Sequence, residues 1–149
     1  MNLETLGKRL TIEEGDRLVA YLDSLGILTV GRGHNCVARP VDGVNQAGDT
    51  ITQEQDDALF ADDVKDACVQ LDNNLPWWSA LDDDRQNVML DMCFNMGIQT
   101  LMTFTNTLAH IEAGEYDEAA DGMAASRWAK QVGNRAVFLE NAMRTGIYA

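Results

Sequence analysis

The chain has 149 residues, enough for one domain whose core needs no disulfide staples, and its 24 acidic against 11 basic side chains leave a net charge of −13. Such a surface repels nucleic acid, and no stretch approaches the roughly 20 apolar residues of a membrane span, so neither nucleic-acid binding nor stable membrane insertion is expected. Cys36, Cys68 and Cys93 are odd in number and lack metal-ligand spacing, which argues against a disulfide framework. With His34 and His110 as the only histidines, no metal site is expected, and no cofactor either, since no nucleotide-type glycine motif is present.

Leu3, Leu6 and Leu10 fall on one face of a short amphipathic helix. The same segment carries Glu4, Lys8, Arg9, Glu13 and Glu14 and no apolar run, so it does not read as a signal peptide, and synthesis in a cytoplasm is expected. Residues 16–34 read as short strands around Gly26, and Arg39 to Thr50 has loop composition. Thr52 followed by Gln55 is a capping box that opens a helix running to about Asn74, where Pro76 ends or redirects the chain. From Trp77 onward the pattern is helical. Residues 84–96 are apolar almost all round, as in a buried central helix, with one polar stripe at Asn87, Asp91 and Asn95 that must face partners or a cleft. Shorter helices are predicted at about 98–103, 105–113, 116–124, 127–131 and 134–145, punctuated by Gly114, Gly133 and Gly146.

Glu14 and Asp23 stand nine residues apart on either side of the first predicted strand. On spacing alone they are two acids among 24, and an ordinary surface reading is favoured. Their setting is more specific: Glu14-Gly15, then Tyr21 and Asp23, a glycine turn, and Thr29-Val30-Gly31-Arg32-Gly33-His34. Two carboxyls held in different environments are what glycosidic hydrolysis requires, one protonated and one ionised.

The chain resembles the T-even-type phage lysozymes, the muramidases of glycoside hydrolase family twenty-four, nearly end to end. The family's E-x8-D-x5-T pattern falls on Glu14, Asp23 and Thr29, followed by the G-x-G-H of Gly31 to His34. A second block is Phe94-Asn95-Met96-Gly97 with Phe104 to Leu108. A third runs from Tyr116 to Ala120, through Ser126-Arg127-Trp128 and Asn134-Arg135-Ala136, to Arg144-Thr145-Gly146.

The resemblance implies an α+β, two-lobed lysozyme-like fold in one domain over 1–149: a small β-containing lobe at about 12–52, a long connecting helix at about 52–74, and a helical lobe at about 75–149 that includes the N-terminal helix. It implies Glu14 as the general acid, in a partly desolvated cleft between the lobes, with Gly15 distinguishing it from Glu13. Asp23 would be the base or the electrostatic stabiliser, and Thr29 would position the attacking water. The family inverts, so a carboxyl separation of roughly 6.5–9.5 Å is expected. Arg135 matches the family's partner of the catalytic glutamate. His34 and Asp63 match a bracing pair, and Phe94, Asn95, Asn106, Thr107 and Arg127 match sugar-binding positions. For Phe94 and Trp128 core packing is the favoured reading, and Trp77-Trp78 is expected to seal a helix end. The implied activity is hydrolysis of the bond between N-acetylmuramic acid and N-acetylglucosamine in peptidoglycan. The expected agent is a monomeric phage endolysin held in the host cytoplasm until a holin-type pore releases it to the periplasm and wall. The alternatives are a virion-associated lysozyme used for entry and a non-catalytic wall-binding relative.

Overall fold

The computed structural model describes residues 1–149. In chain order its elements are α1 (Leu3–Glu14), β1 (Arg17–Leu22), β2 (Leu28–Gly31), β3 (His34–Asn35) and α2 (Gln53–Asn74). After a 3-10 turn at Pro76–Ala80 come α3 (Asp83–Met96), α4 (Ile98–Leu101), α5 (Thr105–Glu112), α6 (Tyr116–Ala124), α7 (Arg127–Val132) and α8 (Asn134–Thr145). This is the α+β lysozyme-like architecture implied by the sequence. The chain divides into two compact units, Gly7–Asp66 and Met1–Leu6 with Ala67–Ala149, so the division falls inside α1 and α2 rather than at their ends. No helix is long and apolar enough to cross a membrane.

In the unit Gly7–Asp66, the three strands form an antiparallel sheet in the order β1-β2-β3, with Tyr21 opposite Thr29 and Val30 opposite His34. Ala20, Val30, Cys36, Val44 and Ile51 make a small core, flanked by Leu18, Leu28, Val41 and Leu59. The segment of loop composition does not hang free. The amides of Ala20 and Ile51 donate to the carbonyls of Asp49 (2.7 Å) and Leu18 (2.9 Å), which lays the loop's end back along β1. Helix α2 starts as its sequence dictates: the Thr52 amide donates to Gln55 Oε1 (2.8 Å) and the Gln55 amide to Thr52 Oγ1 (3.1 Å), a reciprocal capping box. The β3 end is tied to α2 through His34, whose Nδ1 is 2.8 Å from Asp63 Oδ2 and whose Nε2 is 2.8 Å from the Arg39 carbonyl.

In the other unit, α3 is the buried centre, its residues from Asn87 to Cys93 all withdrawn from solvent. Helix α5 packs on α6, and α8 packs on α3, α6 and α7. The polar stripe is fully occupied. Asn87 exchanges hydrogen bonds with the Asn2 backbone (3.2 and 2.9 Å), Asp91 meets Arg135 and Tyr148, and Asn95 Oδ1 accepts from Trp128 Nε1 (2.6 Å). Trp78 is buried and its Nε1 donates to Asp72 Oδ1 (2.7 Å), so it seals the end of α2 as expected, while Trp77 is only half-buried.

Two outcomes are expected. Removing the capping hydroxyl with Thr52→Ala lowers the unfolding free energy by about 1 kcal/mol, read from urea denaturation. The second concerns His34. Both ring nitrogens face acceptors, a setting suited to the doubly protonated ring, and the Asp63 hydrogen bond raises the His34 pKa above 6.5 against the opposing effect of burial. The folded state therefore holds a proton that the unfolded state releases first. The stability this confers is complete below the unfolded pKa and is lost as pH rises through the folded one. Asp63→Asn should flatten that decline, measured as unfolding free energy in a pH series upward from about 5.5.

Candidate active site

Glu14 is the last residue of α1, and Gly15 (φ 75°) turns the chain out of the helix immediately after it. Its carboxyl lies against Gly33. A Cβ at that position would stand 3.1 Å from Glu14 Oε2 and 3.2 Å from its Cδ, so a side chain there would crowd the carboxyl. Gly33 has φ 76°, which further restricts the position to glycine. The neighbouring Glu13 is committed elsewhere, in an i,i+4 ion pair with Arg9 on α1. Local structure therefore separates the two glutamates that the sequence sets side by side.

Asp23 opens the β1–β2 turn. Its Oδ1 accepts from the amides of Leu25 (2.8 Å) and Ile27 (2.9 Å), while its own amide donates to the Ile27 carbonyl (2.9 Å). Gly26 (φ 77°) permits the tight return. One carboxylate oxygen is thus fixed by the backbone, and the turn's hydrogen bonds leave Oδ2 unused. Thr29 sits buried on β2 and its hydroxyl donates to the Ile27 carbonyl (2.9 Å). With its hydrogen committed, Oγ1 can offer a further partner only its lone pairs.

Tyr21 connects these groups. Its hydroxyl pKa is raised chiefly by burial, with Glu14 and Asp23 adding to the rise and Arg17, stacked 4.4 Å from the ring centre, opposing it. Both carboxylates therefore act on one phenol. The sequence shows Tyr21 only as an aromatic in the pattern, with nothing to mark its position opposite Thr29.

A further group lies behind the Gly31-Arg32-Gly33 turn. A Cβ at Gly31 would collide with Asp56 Oδ1, so the first glycine accommodates Asp56 as the second accommodates Glu14. Asp56 is 1% exposed, in the first turn of α2, with Arg32 Nη2 at 3.4 Å. The sequence reading missed it. The available signal was that Asp56 lies two residues before the apolar Ala58-Leu59 and faces inward at helical spacing from Phe60 and Asp63.

In the second unit, Asn95, Asn106, Thr107 and Arg127 line one cleft of about 840 Å³ together with Phe104 and Trp128. Trp128 is buried edge-on to Phe104 (centroids 6.2 Å apart) and fixes the Asn95 amide. Thr107 is buried, and a Cβ at Gly122 would stand 2.5 Å from its Oγ1, so α5 and α6 meet closely at this point. Phe94 is half-buried on α3 and does not line this cleft. Arg135 is buried on α8 with an acid partner that the sequence reading did not assign: its Nε and Nη2 lie 3.0 and 2.8 Å from Asp91 Oδ1. The Tyr148 hydroxyl donates to Asp91 Oδ2 at 2.6 Å. The inward stripe on α3 was the signal for that pairing, because an Asp on a buried face has to meet a cation.

Comparison with known proteins supplies the family. The phage lysozyme family model matches residues 11–143. The chain is 29% identical to probable T4-type lysozyme 1 of Dictyostelium discoideum, over 92% of each chain. It is 36% identical to the endolysin of Salmonella phage P22, over 76% of this chain and 74% of that protein. It is 27% identical to the pre-baseplate central spike protein Gp5 of Enterobacteria phage T4, over 95% of this chain but only 28% of the spike protein. Held against the carboxylates of the first unit and the asparagine-lined cleft of the second, these matches place the chain in the phage lysozyme family, as a glycoside hydrolase that degrades peptidoglycan.

Proposed function

We propose that the enzyme cleaves the β-1,4 bond between N-acetylmuramic acid and N-acetylglucosamine with inversion, with Glu14 as general acid and Asp23 as general base. The observation that carries this reading is the pair of differently held carboxyls, Glu14 against the Gly33 backbone and Asp23 pinned through Oδ1 by two amides. Glu14 protonates the glycosidic oxygen as the bond to the anomeric carbon breaks. Asp23 takes a proton from the water that attacks that carbon from the opposite face. Thr29 orients this water by accepting its second hydrogen, since the threonine's own hydrogen is held by Ile27. Asn95, Asn106, Thr107 and Arg127 bind the glycan along their cleft. Arg135, charge-compensated by Asp91, and the His34–Asp63 pair support the site without taking part in bond cleavage.

In the cell we infer an endolysin that accumulates in the host cytoplasm, passes a holin-type pore and opens the wall as a monomer. The likeness to a pre-baseplate central spike protein favours a second reading, a virion-associated lysozyme used for entry. Mass spectrometry of purified particles separates the two, since only the second places the chain in the virion.

Glu14→Gln should abolish release of muropeptides from purified peptidoglycan while preserving the thermal unfolding profile; activity near that of the parent would refute the acid assignment. Asp23→Ala should lower the rate by about 100-fold or more. Products carrying reducing muramic acid ends are expected, and anhydro ends would assign a transglycosylase instead.

A further inference from the structure

The Gly31-Arg32-Gly33 turn is held between two carboxyls, Glu14 on Gly33 and Asp56 on Gly31. Glu14 belongs to the proposed reaction, and nothing so far gives Asp56 a role. Its surroundings are unusual for an acid that is 1% exposed. From the α1–β1 junction it meets Asp16. From the β2–β3 turn it meets Arg32, whose Nη2 is 3.4 Å from Asp56 Oδ2 and 3.0 Å from Asp57 Oδ1. From its own helix it meets Asp57 and Gln53, whose amide nitrogen is 3.3 Å from Asp56 Oδ2 and 3.4 Å from Asp16 Oδ2. Arg32 is further confined by the Phe60 ring, 4.6 Å from its guanidinium carbon.

Two carboxyl groups thus face one guanidinium, and a third, Asp16, meets the more buried of the two. Asp16 Oδ1 is cut off from solvent, and no N–H or other fixed donor points at it. A buried carboxylate oxygen without a donor is rare and costly. A proton carried by the adjacent Asp56 carboxyl supplies the missing donor, just as closely spaced acid pairs hold one proton between them. Burial, followed by the hydrogen bond with Asp16, pushes the Asp56 carboxyl up to about 6, with Arg32 opposing.

We propose that Asp16 and Asp56 share one proton behind this turn, and that the shared proton keeps Gly33 seated on Glu14, which makes Asp56 a positioning residue for the lysozyme reaction. The inference rests on Glu14 being the acid. With the proton in place, the Asp16–Asp56 pair carries one negative charge opposite Arg32. Once it is lost, the two carboxylates repel across a dry contact and the turn between them loosens. Glu14 and Asp56 thus act on the same three residues.

The test has an activity arm and a resonance arm. Asp56→Asn keeps the shape of the side chain and a permanent donor toward Asp16, so it mimics the protonated pair at every pH. The ratio of the peptidoglycan hydrolysis rate at about pH 7.5 to that at about pH 5.5 should be higher in D56N than in the parent by about threefold or more. D16N should raise it likewise. An unchanged ratio in both variants overturns the positioning role. In the E14Q background, where Glu14 no longer titrates, the Gly33 amide resonance should follow a titration near pH 6 that disappears in E14Q/D56N. A Gly33 resonance indifferent to Asp56→Asn overturns the shared proton. If the parent fails to hydrolyse peptidoglycan, the assignment of Glu14 falls, while the Gly33 titration still decides whether the proton is shared.

Discussion

The contact on which the small unit depends is the seating of two carboxyl groups on one tripeptide, Gly31 to Gly33. Each glycine adopts a positive φ, and each lacks the Cβ that would drive away the acid beside it. The turn is therefore fixed from both sides, by the end of α1 and by the first turn of α2. The same turn delivers His34 to Asp63 one residue later. A short sheet with a small apolar core has little hydrophobic energy to hold its geometry. Here polar contacts at the hairpin end supply the definition that core area cannot.

The helical unit solves the opposite problem. Helix α3 is buried on nearly every side, so its few polar residues must be satisfied internally or impose a large desolvation cost. Each polar residue of the stripe meets a different element: Asn87 the backbone at Asn2, Asp91 the guanidinium of α8, Asn95 the indole of α7. The last of these contacts lines the cleft. Core packing and cleft lining are thus two faces of one stripe, and Trp128 belongs to both, buried against Phe104 while orienting the Asn95 amide.

Much of this was legible in the sequence, for identifiable reasons. The capping box at Thr52 and Gln55 is a local, one-turn device and appears as written. The short C-terminal helices are bounded by Gly114, Gly133 and Gly146, whose backbone preferences act without help from distant residues. Glu14, Asp23 and Thr29 were legible only as a pattern shared with a family, since spacing alone left them among many acids. What stayed hidden depends on contacts between segments far apart in the chain. Asp56 with Asp16 and Arg32, and Asp91 with Arg135, have no signature in any single window, because each requires knowing which elements pack together. The loop before Thr52 shows the same limit, as its backbone bonds to β1 follow from hydrogen-bond need rather than residue type.

The Asp91–Arg135–Tyr148 contact also constrains how this sequence can drift. Each member is buried, and the two oxygens of Asp91 accept from different partners. Losing Arg135 alone removes a counter-charge from a buried carboxylate, and losing Asp91 alone removes one from a buried guanidinium. Either change costs several kcal/mol, whereas exchanging both for apolar residues of similar volume is often neutral or better. An intermediate that is worse than both ends makes the two positions epistatic. Lineages would cross between the charged and uncharged versions rarely, and through paired substitutions, so relatives should carry these residues together or lack them together.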